Sequence, residues 1–435
     1  MSPRPTLLRA LRHRNYRLFV SGQLVSLIGT WMQSVAESWL VYRLTGSAVL
    51  LGLVGFSNRI PVFLFSTLGG AVADRFDRHR IVIVTQVLSM LLASALAVLT
   101  LTHVVQVWHL MTIAALLGLV NAFDIPARQA FVVELVDRAD LQNAIALNSS
   151  MFNGARIVGP AVAGVLVAAV GEGWCFFANA VSYVAVIAGL LMMRVTPSPR
   201  AARPASALAH VTEGFRFVLR SRPVLALLLL LGLISLMGTP YSVLMPIIAD
   251  QKFHRGSQGL GILMGASGVG ALIGALSLAR RTTLRGYGRT VAVAATSFGL
   301  SLIAFSSVRF FWLAVAFLLP AGFSMMTQMA ASNTLIQSMV PNALRGRVMA
   351  VYSMMFMGMA PIGALLAGAL ADWLGATTTV AAGGAFCIAG GLVFLQRLPA
   401  LQGEARRLIQ AQQVVMAEEA SAAESQPSLV APVSS

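Results

Sequence analysis

LVDRADLQNAIALNSSMFNGARIVGPAVAGVL, Leu135 to Leu166, returns 204 residues later as MVPNALRGRVMAVYSMMFMGMAPIGALLAGAL, Met339 to Leu370. Ser149, Met151, Gly154, Gly159, Gly164 and Leu166 overlie Ser353, Met355, Gly358, Gly363, Gly368 and Leu370 without change. Each copy opens on a charged or polar stretch and runs into a helix-length apolar one. A chain that repeats such a unit contains two copies of one bundle. A parallel repeat of this kind is a transporter architecture, in which two halves rock around a site near the bilayer midplane.

Working outward, the 435 residues are 57% hydrophobic and 11% charged, too apolar throughout for a soluble domain. Apolar stretches of about 20 residues, the length that spans a bilayer as a helix, recur along the chain. Twelve are expected between residues 18 and 396, six on each side of a polar break. They lack the period-2 alternation of a membrane barrel. The expected fold is an all-α membrane protein of twelve transmembrane helices in two six-helix bundles. Its parts are a basic arm (1–17), a first bundle (18–193), a linker with an amphipathic helix (194–222), a second bundle (223–397) and a partly disordered tail (398–435). In the linker, HVTEGFRFVLRSRP reads as a helix lying on the membrane surface, with Phe215, Phe217 and Val218 on its apolar side. A short helix is expected around 403–419, after Pro399 has ended the last span.

The net charge of +16 follows the loops. Of 31 basic residues, 25 fall on the face that carries the termini, and Arg43, Lys252, Arg255 and Arg309 fall on the other. That bias is the positive-inside signature, so both termini are expected in the cytoplasm and the basic face against anionic lipid. It removes the reason to expect a nucleic-acid partner. No cleavable leader precedes the first span, which is read as its own insertion signal. Cys175 and Cys387 lack metal-ligand spacing and read as packing residues.

GAVADRFDRHR, Gly70 to Arg80, resembles the loop motif of the major facilitator superfamily. Gly70, Asp74, Arg75 and Arg78 fall on its positions, while Asp77 stands where a glycine is usual. The resemblance implies a cytoplasmic latch, with the start of the helix near Arg347 as the partner of Asp74. AFDIPARQAFVVELVDRADLQNAIALNSSMFNGARIVGPAVAG, residues 122–164, is similar to the branch that holds enterobactin-type siderophore exporters and macrolide efflux pumps. Within it, ARIVGPAVAG resembles the helix-5 motif of proton-coupled exporters through Gly159, Pro160 and Gly164. Small residues there also allow plain close packing of helices. The resemblance implies secondary export of a small amphiphilic, drug- or siderophore-like compound in exchange for protons across a bacterial inner membrane, by a monomer without a cofactor. The alternatives are a lysolipid flippase, a proton-coupled importer and a non-transporting sensor.

Ionisable groups at bilayer depth are costly and mark a pathway by default. Glu37, Arg59, Asp124 and Arg156 are the deep ones, all in the first half. Glu37 and Asp124 are the proton-coupling candidates, because arginine keeps its proton. Glu37 comes first, within expected reach of Arg59. Asp124 alternatively pairs with Arg128 near the interface. Arg156 either holds an acidic partner or meets an anionic group of the substrate. Gln33, Trp39, Tyr241, Met325 and Gln328 are candidates to line the cavity. GASG, Gly265 to Gly268, superficially matches a protease nucleophile motif, but all six histidines sit in loops or at interfaces. GLGILMGASGVGALIG is therefore read as helix packing, and an enzyme is not expected.

Overall fold

The computed structural model describes residues 9–137, 139–195, 207–281 and 283–425. A short 3-10 turn, Arg9–Arg12, leads into α1 (Arg14–Thr45). The first half continues through α2 (Ala48–Arg75), α3 (Arg78–Leu101), α4 (Val107–Glu134), α5 (Leu141–Val170) and α6 (Glu172–Leu191). After α7 (Ala207–Arg220) come α8 (Arg222–Lys252), α9 (Gly256–Ala279), α10 (Tyr287–Ser307), α11 (Phe311–Met339), α12 (Asn342–Leu374) and α13 (Ala376–Ser425). No strand occurs among the described residues.

Eleven helices, α2 to α6 and α8 to α13, are long and apolar enough to cross a membrane. The expected twelfth span is α1, 32 residues long, whose apolar face is diluted by Gln23, Ser26 and Gln33. All three are buried, so its polarity is spent inside the bundle rather than against lipid.

Within the first half α2 packs on α4, α3 on α6, and α1 between α5 and α6. The second half repeats this, with α9 and α10 both on α11 and α10 on α13. The halves meet along two seams, α2 against α12 and α5 against α9. Gly164 makes the second seam close: a Cβ there would stand 3.0 Å from the Ser257 carbonyl oxygen and 3.1 Å from the Gly261 Cα. Gly270 and Gly274 likewise press on the backbone of Leu319 and Phe323, as the packing reading of this segment requires.

Three features differ from the sequence reading. First, α8 and α12 are not uniform helices: they widen into π turns at Ile234–Gly238, Ile248–Lys252 and Met354–Gly358. Pro240, Pro246 and Pro361 lie beside these turns, and each withholds a backbone N–H that a regular helix needs. Second, α7 turns its apolar side to protein. Val218 is 3% exposed, Phe215 and Phe217 pack on the core, and Gly214 lies against the backbone of Arg347 at the start of α12. Third, α13 passes through Pro399 and runs to Ser425, absorbing the helix expected at 403–419. Of the expected arm, linker and tail, residues 1–8, 196–206 and 426–435 lie outside the described residues.

Candidate functional site

The deep charges separate into one satisfied group and three unsatisfied ones. Asp124, 3% exposed on α4, is fully occupied. Its Oδ1 accepts from Thr85 Oγ1 at 2.7 Å and Gln86 Nε2 at 3.0 Å. Its Oδ2 stands 3.1 Å from Arg128 Nε one turn along the same helix. A carboxylate so held ties α3 to α4, and the interface-pair reading is the one this geometry supports.

Glu37 is the opposite case. It is half-buried on α1 and, among the described residues, makes no ion pair and no side-chain hydrogen bond. The expected contact with Arg59 is not formed. Arg59 shares a face of α2 with Gly55 and Phe63, one turn away on either side. Gly55 looks onto Ala364 and Val243, and the Phe63 ring lies on Gly358, so this face is turned to the second half. Arg156 rests its guanidinium over the Trp31 ring, 5.8 Å from the centroid, and Trp31 meets Phe152 edge-on at 5.7 Å. Neither arginine has an acidic partner among the described residues. Arg59 is exposed and Arg156 half-buried, and at bilayer depth an unpaired arginine costs ~2.5–3.5 kcal/mol on insertion scales.

A polar stripe missing from the sequence reading completes this region. Thr30 and Ser34 are exposed on α1, and Glu37 and Ser38 are half-buried one turn further on. The i, i+4, i+7 spacing of small hydroxyls leading to the acid was the signal in the sequence. The expected wall residues behave differently. Gln33 accepts from Asn179 Nδ2 at 2.6 Å, the Tyr241 hydroxyl meets Ser267 Oγ at 2.6 Å, and Gln328 donates to Ser332 Oγ at 3.3 Å. All three are at most 5% exposed, each bonded within its own half, and so serve packing rather than an open wall. Met325 and Trp39 remain half-buried, Trp39 beside Tyr42 at 5.6 Å.

The two ends of the bundles also differ. At one end Tyr42 of α1 donates to Asp250 Oδ2 of α8 at 2.7 Å, and the Ala48 N–H donates to Asp372 Oδ1 of α12 at 3.2 Å. These acids join the halves, a role the sequence reading did not give them. At the other end Arg78 donates to Glu134 at 2.7 Å, to Asp74 at 3.2 Å and to the Ala73 carbonyl at 3.0 Å. Asp77 caps α3 by accepting from the His79 N–H, which accounts for an acid at a glycine position. Asp74 and Arg75 are exposed, and Arg347, near the expected latch partner, is instead paired with Glu213 of α7. Among the described residues no side-chain hydrogen bond or ion pair joins the halves at this end. The expected latch bond is not formed among the described residues, while two hydrogen bonds join the halves at the opposite end.

In the helix-5 stretch, a Cβ on Gly159 would stand 2.5 Å from Trp31 Cβ and 3.0 Å from the Ile28 carbonyl, so this glycine seats α1 under α5. The Pro160 carbonyl sits against Gly261 across the seam. Gly70 has open space where a side chain would go.

Two helical halves joined at one end around uncompensated interior charges define a secondary transporter of the major facilitator type. Solved structures with this fold include the nucleoside transporter NupG (TM-score 0.68, 14% identity, 90% of this chain and 99% of that one). A POT family transporter in complex with a thioalcohol-conjugated peptide superposes with a TM-score of 0.74 at 12% identity, over 89% and 96% of the two chains. A profile of the transmembrane secretion effector family matches residues 6–428, and the chain belongs to that family. It is 29% identical to the staphyloferrin A transporter of Staphylococcus aureus, over 87% of this chain and 95% of that one. It is 28% identical to the multidrug efflux pump Tap of Mycolicibacterium fortuitum, over 83% and 90%. It is 24% identical to the enterobactin exporter EntS of Shigella boydii, over 88% and 91%. The protein is a membrane transporter of the efflux and secretion type, not an enzyme.

Proposed function

We propose that the chain is a proton antiporter that exports a small amphiphilic compound, drug- or siderophore-like, across a bacterial cytoplasmic membrane, with both termini inside. The observation that carries this reading is Glu37, an acid inside the first bundle with no fixed partner. A carboxylate that no bond holds ionised is free to bind and release a proton as the halves rock, whereas Asp124 is committed to three partners. The likeness to named exporters of siderophores and drugs supports the direction. With the expected acid absent, Arg59 and Arg156 are assigned to an anionic group of the substrate. An anion moving out and a proton moving in add in charge, so an inside-negative potential drives both, by ~2.3 kcal/mol per charge per 100 mV.

The test is proton flux in energised inside-out vesicles with a pH-sensitive dye, adding siderophores, macrolides, cationic dyes and lysolipids in turn. Ligand-triggered proton release that vanishes in Glu37→Gln is the expected result. Flux that ignores every ligand, together with uptake of a labelled compound in the inward direction, would overturn it.

A further inference from the structure

The second bundle contains a cleft apart from the charges described above, lined by α9, α10, α11 and the loop between α9 and α10. α9 and α10 each pack along α11, leaving between them a cavity of about 370 Å³. Every residue that lines it belongs to the second half, and none is acidic. Its mouth carries Arg281 at the end of α9 and Arg289 in the first turn of α10, both exposed. The mouth also includes Gly286 and Thr290, so the N-terminus of the 21-residue α10 opens onto it. Unsatisfied N–H groups and the helix dipole there favour an anion. Arg281 Nη1 already donates to Thr290 Oγ1 at 2.7 Å, which fixes the guanidinium at the rim.

The floor gives a second, independent indication of a ligand. Thr327 of α11 lines the cleft, is 5% exposed, and its hydroxyl has no hydrogen-bond partner. A buried hydroxyl left unbonded is costly unless something polar fills the space. Ser324 donates to Ser297 at 3.1 Å, leaving Thr327 as a lining hydroxyl without a partner, beside Gly274 of α9. From Arg289 to Ser297 the cleft wall descends ~12 Å at helical rise. That depth exceeds the ~5–8 Å headgroup zone on either side of a bilayer, so the cleft passes from headgroups into the acyl boundary. Val293, 52% exposed, lies along its wall and opens it sideways.

We propose that this cleft is a phosphate-ester site, in which Arg281, Arg289 and the α10 N-terminus hold the phosphate and Thr327 meets an ester or hydroxyl oxygen beneath it. The phosphate is that of an anionic phospholipid in the leaflet against the basic face, or of a soluble glycerol phosphate with the same chemistry. The site is separate from the central pathway, and its occupancy ties α9 to α10 across α11.

The experiment is native mass spectrometry of the full chain released from nanodiscs, with phosphatidylglycerol or phosphatidylcholine as the probe lipid and glycerol 3-phosphate as the soluble probe. Phosphatidylglycerol adducts that weaken roughly 10-fold or more in Arg281→Gln/Arg289→Gln are expected, the loss of charge-assisted bonds to a phosphate. Thr327→Val, which preserves shape, is expected to weaken them severalfold without lowering the melting temperature. Arg285→Gln is the control, an exposed arginine of the same loop that does not line the cleft. Glycerol 3-phosphate competing at equal strength, and losing its hold in the same variants, supports the site with a soluble source. Adducts unchanged in the double variant, or lost equally in Arg285→Gln, overturn the site, as does the absence of any phosphate-specific binding.

Discussion

Asp124→Asn and Glu37→Gln are equivalent chemical changes with opposite expected consequences. Asparagine at 124 keeps the oxygen that accepts from Thr85 and Gln86 at 2.7 and 3.0 Å, but it turns an amide toward Arg128, which was 3.1 Å from the second carboxylate oxygen. Breaking a buried pair by removing one partner costs ~3–5 kcal/mol when the other charge is stranded. Arg128 has a side chain 25% exposed and recovers part of its hydration, so a loss of about 2–3 kcal/mol is expected. Thermal melting of the purified protein in micelles reads it directly. Glutamine at 37 breaks no bond, and its stability is expected to stay within about 1 kcal/mol of the parent. Ligand-triggered proton flux should follow the reverse order, with Asp124→Asn reduced only as far as folded protein is lost and Glu37→Gln uncoupled at full expression. An Asp124→Asn protein that melts normally but moves no protons, beside an active Glu37→Gln, would refute the assignment.

Tyr42→Phe removes a hydrogen bond to the Asp250 carboxylate that closes one end of the halves. About 1.5–3 kcal/mol for a bond to a charged group shifts the rocking equilibrium by roughly tenfold or more, away from this state, as spin-label distances between residues 45 and 254 should show. Asp140, just before α5, is held below the usual carboxylate range by the hydrogen bond with His13 and by Arg12 and Arg9, against the opposing effect of burial. A depressed folded value makes this docking of the basic turn complete above about pH 4 and lost as pH falls through the lower folded value. Hydrogen exchange at residues 9–17 should rise on acidification, and Asp140→Asn should reproduce that rise at neutral pH. Gly159→Leu drives a side chain into Trp31 and the Ile28 carbonyl, and a destabilisation of about 1–3 kcal/mol, again by melting, is expected.

Much of this was legible because a lipid solvent leaves few options. Span lengths, the repeat and the small-residue seams follow from apolar runs and glycine spacing, and Gly164, Gly261 and Gly270 pack as that spacing requires. Depth along a helix was also readable, which is why Glu37, Arg59, Asp124 and Arg156 were all singled out. Azimuth and state were not. Glu37 and Arg59 lie at compatible depths on neighbouring helices, but Arg59 shares its face with Phe63 and turns to the second half, where no acid meets it. Asp74 is bonded to Arg78 of its own half and not to α12, and a sequence carries no record of which pairing is made. The π turns of α8 and α12 were hidden for a related reason: a proline announces a missing N–H without saying how the chain absorbs it.

The same 204-residue offset that exposes the repeat bears on Gln328, a second-half candidate that is buried and bonded within its own half. It carries Asp124 onto Gln328 and Arg156 onto Ala360. Arg128, one turn beyond Asp124, falls on Ser332. The ion pair Asp124–Arg128 of α4 therefore reappears in α11 as the neutral Gln328–Ser332 bond, in the same i, i+4 geometry with both charges removed. Two halves that share a backbone have thus divided the chemistry. The first keeps Glu37, Arg59 and Arg156, which the proposed function gives to a proton and an anionic substrate group. The other places the neutral Gln328–Ser332 bond where the first has an ion pair. On the proposed function a change of charge in one half is enough to move the equilibrium, provided the two states differ in their affinity for the proton.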